Sequence, residues 1–221
     1  MFVCYTIIMI TFGIYCVTAI VNLVSAFFFK EGLRKISKCC LMPALLIFYL
    51  LGAQRIFSPV IAALVFSWAG DVLLINKDKA LFFKLGLAAF LVSHIFYIIA
   101  FLALAGGINV PALIISVVIA VPATLAILKL LNASAPMKIP VAAYAVVIML
   151  MSMSALQLML ARPGFAGTLI FAASVIFLFS DSYMAYLLFN GKPRYFNVIT
   201  MIPYIIAQGG IIMALVLGLE G

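Results

Sequence analysis

The sequence predicts an all-α fold: a polytopic membrane protein with eight transmembrane helices and both N- and C-termini outside. Three observations predict it. The 221 residues are 69% hydrophobic and only 8% charged, with a mean hydropathy of +1.40, whereas soluble domains carry roughly a quarter charged residues. The apolar residues fall into successive runs near or above the ~20 residues that cross a bilayer as a helix. The basic residues gather on alternate loops, and the Lys/Arg bias of short loops sets orientation.

The predicted spans are residues 5–29, 38–52, 56–75, 81–104, 109–130, 139–161, 165–189 and 198–219. The first has no basic n-region and no small-residue cleavage site, so it reads as a retained helix rather than a signal peptide. The second, "CCLMPALLIFYLLGA", is short and contains Pro43, and loop charge decides in its favour. With eight spans, the inner loops hold Lys30, Arg34, Lys35, Lys38, Lys77, Lys79, Lys84, Lys129, Lys138, Lys192 and Arg194, and only Arg55 and Arg162 face out. Without the second span every later loop flips, and eleven against two becomes six against seven. The third span then runs from Arg55 to the Lys77–Lys79 loop, and the fourth begins by Lys84. The fifth and sixth are separated by Lys129 and Lys138, the seventh follows Arg162, and Lys192 and Arg194 separate it from the eighth. No loop is long enough to form a domain, so residues 1–221 are expected to form a single eight-helix transmembrane domain.

The net charge of +8 follows from this topology, and no nucleic-acid partner is expected. Cys4, Cys16, Cys39 and Cys40 show neither metal spacing nor a disulfide framework. Palmitoylation of Cys39 or Cys40, beside a basic loop, is conceivable but nothing in the sequence favours it.

Two carboxylates interrupt this apolar pattern. Asp71 lies in "AGDVLL" and Asp181 in "FLFSDSYMA". Asp71 precedes Asn76 by five residues, ~7 Å from the inner boundary, and Asp181 precedes Asn190 by nine, ~13 Å deep. Both fall in the cytoplasmic half of the bilayer, where they can share one cavity. Other polar residues lie at compatible depths: Ser67 one turn before Asp71, Ser180 and Ser182 flanking Asp181, and Ser174 two turns above it. Tyr144 lies early in the sixth span, Tyr204 and Gln208 share one face of the eighth, and Asn22 and Ser25 end the first. His94 and Tyr97 share a face of the fourth, nearer the midplane. Serines and tyrosines in membrane helices usually serve packing or backbone bonding, and a lone buried histidine is usually an interhelical partner. An intramembrane carboxylate is costly and functional by default. No basic residue is expected in the inner membrane core to neutralise the pair, Lys84 being the nearest. Two carboxylates in one poorly solvated pocket would then divide into an acid and a base.

Zinc needs three or four His, Cys or carboxylate ligands, and one histidine without a suitably placed cysteine does not supply them, so no metal ligand set is assigned. Carboxylate-bound Mg²⁺ stays open. There is no HExxH, no Gly-x-Ser-x-Gly elbow and no glycine-rich phosphate loop.

The set "AGDVLL", "FLVSHIFYIIAF", Tyr144 before a Met-rich turn, "FLFSDSYMA" and Tyr204…Gln208 resembles the YhhN-like lysoplasmalogenase family, in order and spacing, from about Lys38 to Gln208. The resemblance implies an eight-helix membrane hydrolase that cleaves the vinyl-ether bond of lysoplasmalogens. Its products are a fatty aldehyde and a glycerophospho-choline or -ethanolamine. The family's paired acidic residues carry over to Asp71 and Asp181, with Ser67, His94, Tyr97, Tyr144, Ser180, Ser182, Tyr204, Gln208 and Asn22 as substrate-binding or supporting residues. The expected partners are the lysophospholipid substrate and membrane lipids. Length without extensions points to a bacterial inner membrane. Vinyl-ether hydrolysis needs a positioned acid and a nearby anion, as glycosidases do, and no cofactor. The basic inner rim of Lys35, Lys38, Lys77, Lys192 and Arg194 fits the phosphate, and equally follows from positive-inside bias. Two rival readings use the same residues: a small proton-coupled transporter, with Pro43, Pro59, Pro122 and Pro203 breaking helices, and a non-catalytic lipid-binding protein.

Overall fold

The computed structural model describes residues 2–76, 78–130 and 135–218. Among them are eight α-helices: α1 (Phe2–Phe27), α2 (Glu31–Gly52), α3 (Ser58–Leu73), α4 (Ala80–Ala105), α5 (Val110–Leu130), α6 (Ala135–Ala161), α7 (Phe165–Asn190) and α8 (Phe196–Leu217). A 3₁₀ turn at Leu74–Asn76 follows α3, and no strand occurs among the described residues. The chain is an all-α, multi-pass membrane protein. Among the described residues, seven helices are long and apolar enough to cross a bilayer, while the apolar stretch of α5, Val110–Ala126, is shorter.

One boundary departs from the sequence reading, and the departure matters for the site. The second helix begins at Glu31 rather than residue 38, so it is not short. The cause is the cap of α1. Phe29 adopts a left-handed backbone (φ 56°), and the Lys30 N–H donates back to the Ser25 carbonyl at 2.8 Å. This reverses the chain within three residues, and glycine usually fills that position. Phe29 lies beneath the Arg194 guanidinium, 5.6 Å from the ring centroid, and against Tyr195. Glu31 then opens α2, where a carboxylate suits the helix dipole. Pro43 does not break α2. It cannot donate to the carbonyl one turn earlier, that of Cys39, and the Trp68 indole of α3 supplies that bond at 3.0 Å.

The helices pack chiefly in sequential pairs: α1 on α2, α3 on α4, α7 on α8, with α6 joining α4 to α7. α5 packs against α6. α8 is the most enclosed helix, and α1 and α2 also rest on it. One extensive core, including Tyr15, Phe48, Leu64, Tyr97, Phe101, Ile148, Phe177 and Ile211, joins these layers. Close packing of α3 on α4 depends on Gly70, where an added Cβ would lie 2.5 Å from Phe90 Cδ2. Beside that contact the bundle opens, and side chains rather than backbones bridge α3 to α8.

Candidate functional site

The two aspartates meet across that opening. Asp71 occupies the last turn of α3 and Asp181 lies two-thirds along α7, and both line one cavity of ≈ 40 Å³. That is room for about one to three waters. Both carboxylates are buried, at 1% and 8% exposure. Each receives a phenol. The Tyr204 hydroxyl of α8 donates to Asp71 Oδ2 at 2.7 Å, and the Tyr144 hydroxyl of α6 donates to Asp181 Oδ2. Aromatic rings fix the phenols edge-on: Phe177 stands 5.6 Å from Tyr204, and Phe90 stands 5.9 Å from it. His94 meets Tyr144 at 5.4 Å.

The expectation that no basic residue reaches the pair is corrected here. Lys38 Nζ lies 3.3 Å from Asp71 Oδ1, and the two side chains are 12% and 2% exposed. Sequence reading placed Lys38 on the rim because it began the second helix there. Beginning at Glu31, α2 carries Lys38 two turns inward. A glutamate opening the helix was the signal that finds this. Asp181 has no ion-pair partner among the described residues. The two carboxylates are therefore unlike, one paired with an ammonium and the other held by a phenol alone.

The supporting residues divide into two groups. Ser180 lines the cavity and donates to the Thr200 carbonyl at 3.4 Å. One turn away from Asp71 and Tyr204, a second rung joins the same helices: Gln208 Nε2 donates to Ser67 Oγ at 2.9 Å. Tyr97 donates to Gln208 Oε1 at 2.7 Å, and Ser67 shares a bond with Ser93, which donates to the Ala63 carbonyl. The rungs 71–204 and 67–208 run in opposite senses, as antiparallel helices require. Ser93 was not singled out from sequence. The other group stands off. Asn22 donates to the Arg34 carbonyl and to Ser37 Oγ, fastening α1 to α2 behind the cavity. Ser182 is half-buried and does not line the cavity. His94 is fully buried and bonds through Nδ1 to the Phe90 carbonyl; its Nε2 has no partner. A carbonyl only accepts, so Nδ1 carries the proton and Nε2 is a bare lone pair.

Of the expected rim, Lys35 and Lys192 line a wider bowl of ≈ 540 Å³ beyond the cavity. Lys192 pairs there with exposed Asp78 at 2.8 Å. Arg194 stacks on Phe29 and Tyr195. Lys77 lies outside the described residues. Three polar cavity residues were not among the expected site residues, Arg34, Asn197 and Thr200.

A buried carboxylate beside an ammonium, a second without one, and water-sized space beside them can give and take protons on an uncharged group. No curated protein and no solved structure matches the chain. The model of the YhhN family matches residues 33–215. The chain belongs to the YhhN family.

Proposed function

For a YhhN-family membrane protein built in this way, we propose hydrolysis of the vinyl-ether bond of lysoplasmalogens, releasing a fatty aldehyde and glycerophosphocholine or glycerophosphoethanolamine. The observation that carries this reading is the unlike pair of carboxylates on one buried cavity. Asp71, facing Lys38, is assigned as the carboxylate, and Asp181 as the acid. Asp181 delivers its proton to the distal alkene carbon, leaving an oxocarbenium ion that the Asp71 carboxylate stabilises. Water adds to the carbon bonded to oxygen and gives a proton to Asp71. The hemiacetal then collapses: the ether C–O bond breaks, the departing glycerol oxygen takes the proton from Asp71, and the hemiacetal hydroxyl returns one to Asp181. One water is consumed and both side chains are restored. Tyr204 and Tyr144 hold the carboxylates in register. The same proposal takes eight crossings with both termini outside, in a cell membrane of the bacterial inner type, and with that topology the chemistry belongs to the cytoplasmic leaflet.

The test uses protein purified in detergent, where transport across a sealed compartment is impossible and a binding protein makes no product. Aldehyde should form from a 1-alkenyl lysophospholipid. In heavy water the carbon next to the aldehyde should carry deuterium, checked against exchange of the product itself. Asp71→Asn and Asp181→Asn should each lose about 10²–10⁴-fold in rate. An aldehyde without that deuterium, or either variant at full rate, refutes the mechanism.

A further inference from the structure

The buried cavity does not end at the aspartates. Arg34 and Asn197 line both it and the open bowl beyond, so these two residues form the neck between them. We propose that the neck is a phosphodiester seat: Arg34 binds the phosphate of a single-chain glycerophospholipid and thereby sets how deep its sn-1 linkage reaches. The proposal rests on the reading of the inner cavity as the place of vinyl-ether cleavage.

Four observations carry it. Arg34 is a cation at 9% exposure, paired with Glu31 and facing both the cavity and the bowl. Its Nε and Nη2 donate to Glu31 Oε1 and Oε2, which fixes the plane of the group. A guanidinium has five N–H donors, so about three stay available to the neck. Asn22 holds the Arg34 carbonyl from behind, so the turn that carries the arginine is anchored as well. The bowl wall adds Lys35, Lys79 and Lys192 against the carboxylates Glu31 and Asp78, a balance that attracts a phosphodiester and accommodates an ammonium attached to it. Lys38, the other basic residue on the inner cavity, is paired with the buried Asp71, whereas the carboxylate paired with Arg34, Glu31, is 54% exposed in its side chain and lies on the bowl.

The lengths agree. Arg34 and Lys38 are one turn apart on α2, a rise of ~6 Å. In a lysoplasmalogen seven bonds separate phosphorus from the distal alkene carbon, about 9 Å extended at ordinary bond lengths. A phosphate at the guanidinium therefore lets the alkene reach the level of the Lys38–Asp71 pair with the glycerol bent in the neck, and about 3 Å beyond it when extended.

The experiment compares two lipid pairs on the purified full-length chain in detergent. The uncleavable pair is a 1-alkyl glycerophosphoethanolamine and a 1-alkylglycerol, read by the shift in melting temperature. The cleavable pair is the corresponding 1-alkenyl compounds, read by kcat/KM. The wild type should be stabilised more by the phosphorylated lipid and should prefer the phosphorylated substrate. In Arg34→Gln that preference should shrink about 10–100-fold, chiefly through KM. Arg34→Lys, which keeps the charge but loses the fork, should fall between. Equal losses on phosphorylated and phosphate-free compounds, or an unchanged preference, overturn the seat. If the wild type cleaves neither substrate yet discriminates by melting through Arg34, the hydrolase reading fails and the seat stands.

Discussion

Replacing Lys38 with methionine isolates the interaction that makes the two carboxylates unlike. Methionine matches the lysine stem in length and flexibility, so packing changes little. What changes is charge: Asp71, 2% exposed, loses the ammonium at 3.3 Å. Removing one partner of a buried pair costs about 3–5 kcal/mol, because the other charge stays behind uncompensated. Tyr204 still donates to Asp71, which places the expected loss near the lower end, about 3 kcal/mol. For a chain of this size that is a fall of about 6–12 °C in melting temperature. Asp71→Asn should cost less, since the freed lysine can extend towards the neck and the bowl. The double variant Lys38→Met/Asp71→Asn should melt close to the wild type, because no buried charge is left alone. Thermal unfolding in detergent, with all four proteins in one lipid and salt composition, measures this cycle. If Lys38→Met melts with the wild type, the ion pair is not formed. If the double variant loses the sum of the singles, the residues are not coupled and the asymmetry of the site has another origin.

Further outcomes are equally specific. In a cysteine-free background, cysteines at Arg55 and Arg162 should label from outside and those at Lys35 and Lys192 from inside; Arg55 and Lys35 on one side would remove the topology. Gly70→Ala should force Phe90 towards the cavity it lines, lowering stability by about 1–3 kcal/mol and slowing turnover; unchanged melting would show that α3 and α4 have slack there. Gln208→Leu should cost about 1–3 kcal/mol by stranding the Tyr97 hydroxyl, and Tyr97→Phe in the same background should recover part of it. His94→Ala should weaken turnover without abolishing it, and zinc chelators should leave activity intact; loss restored by added zinc would reveal a ligand set that the histidine belongs to.

The helix pattern was legible because it depends on a local property, apolar run length. Every helix was placed within a few residues save the start of α2, and that error had a physical source. A phenylalanine held left-handed by distant Arg194 and Tyr195 caps α1, where local rules expect glycine. Seven residues of helix were lost, and with them the inward position of Lys38 and Arg34. The polar faces were readable where spacing reports them, as with Ser67 to Asp71 and Tyr204 to Gln208. Which face meets which was not, since the 71–204 and 67–208 rungs join residues more than 130 positions apart. Tyr144 fell on Asp181 and Tyr204 on Asp71 through tertiary packing alone.

The placement of Asp71 at a helix end bears on the proposed chemistry in a way its burial does not. α3 passes into a 3₁₀ turn at Leu74, three residues beyond the carboxylate, and α2 begins nearby with Glu31 and Arg34. Backbone carbonyls, cations and water gather at such ends, so a charge one or two turns deep is supported from one side and dry on the other. A lysolipid has the complementary gradient. Its phosphate stays at the interface, its chain stays in hydrocarbon, and the vinyl ether lies about 9 Å beneath the phosphorus. Carboxylates in mid-membrane would require the head group to be dragged inward, at the full cost of desolvating a phosphodiester. Carboxylates at the surface would be solvated and lose the dry environment that makes Asp181 a usable acid against an alkene. A pair set one to two turns below a basic neck meets both requirements without lifting the substrate from its leaflet. Moving the Arg34 guanidinium by one turn, with Arg34→Gln and Lys38 left in place while Lys30→Arg puts the forked guanidinium nearer the rim in place of an ammonium, should therefore slow cleavage of the native lipid. It should favour a homologue with a longer spacer between phosphate and alkene, and equal slowing of both lengths would refute the depth argument.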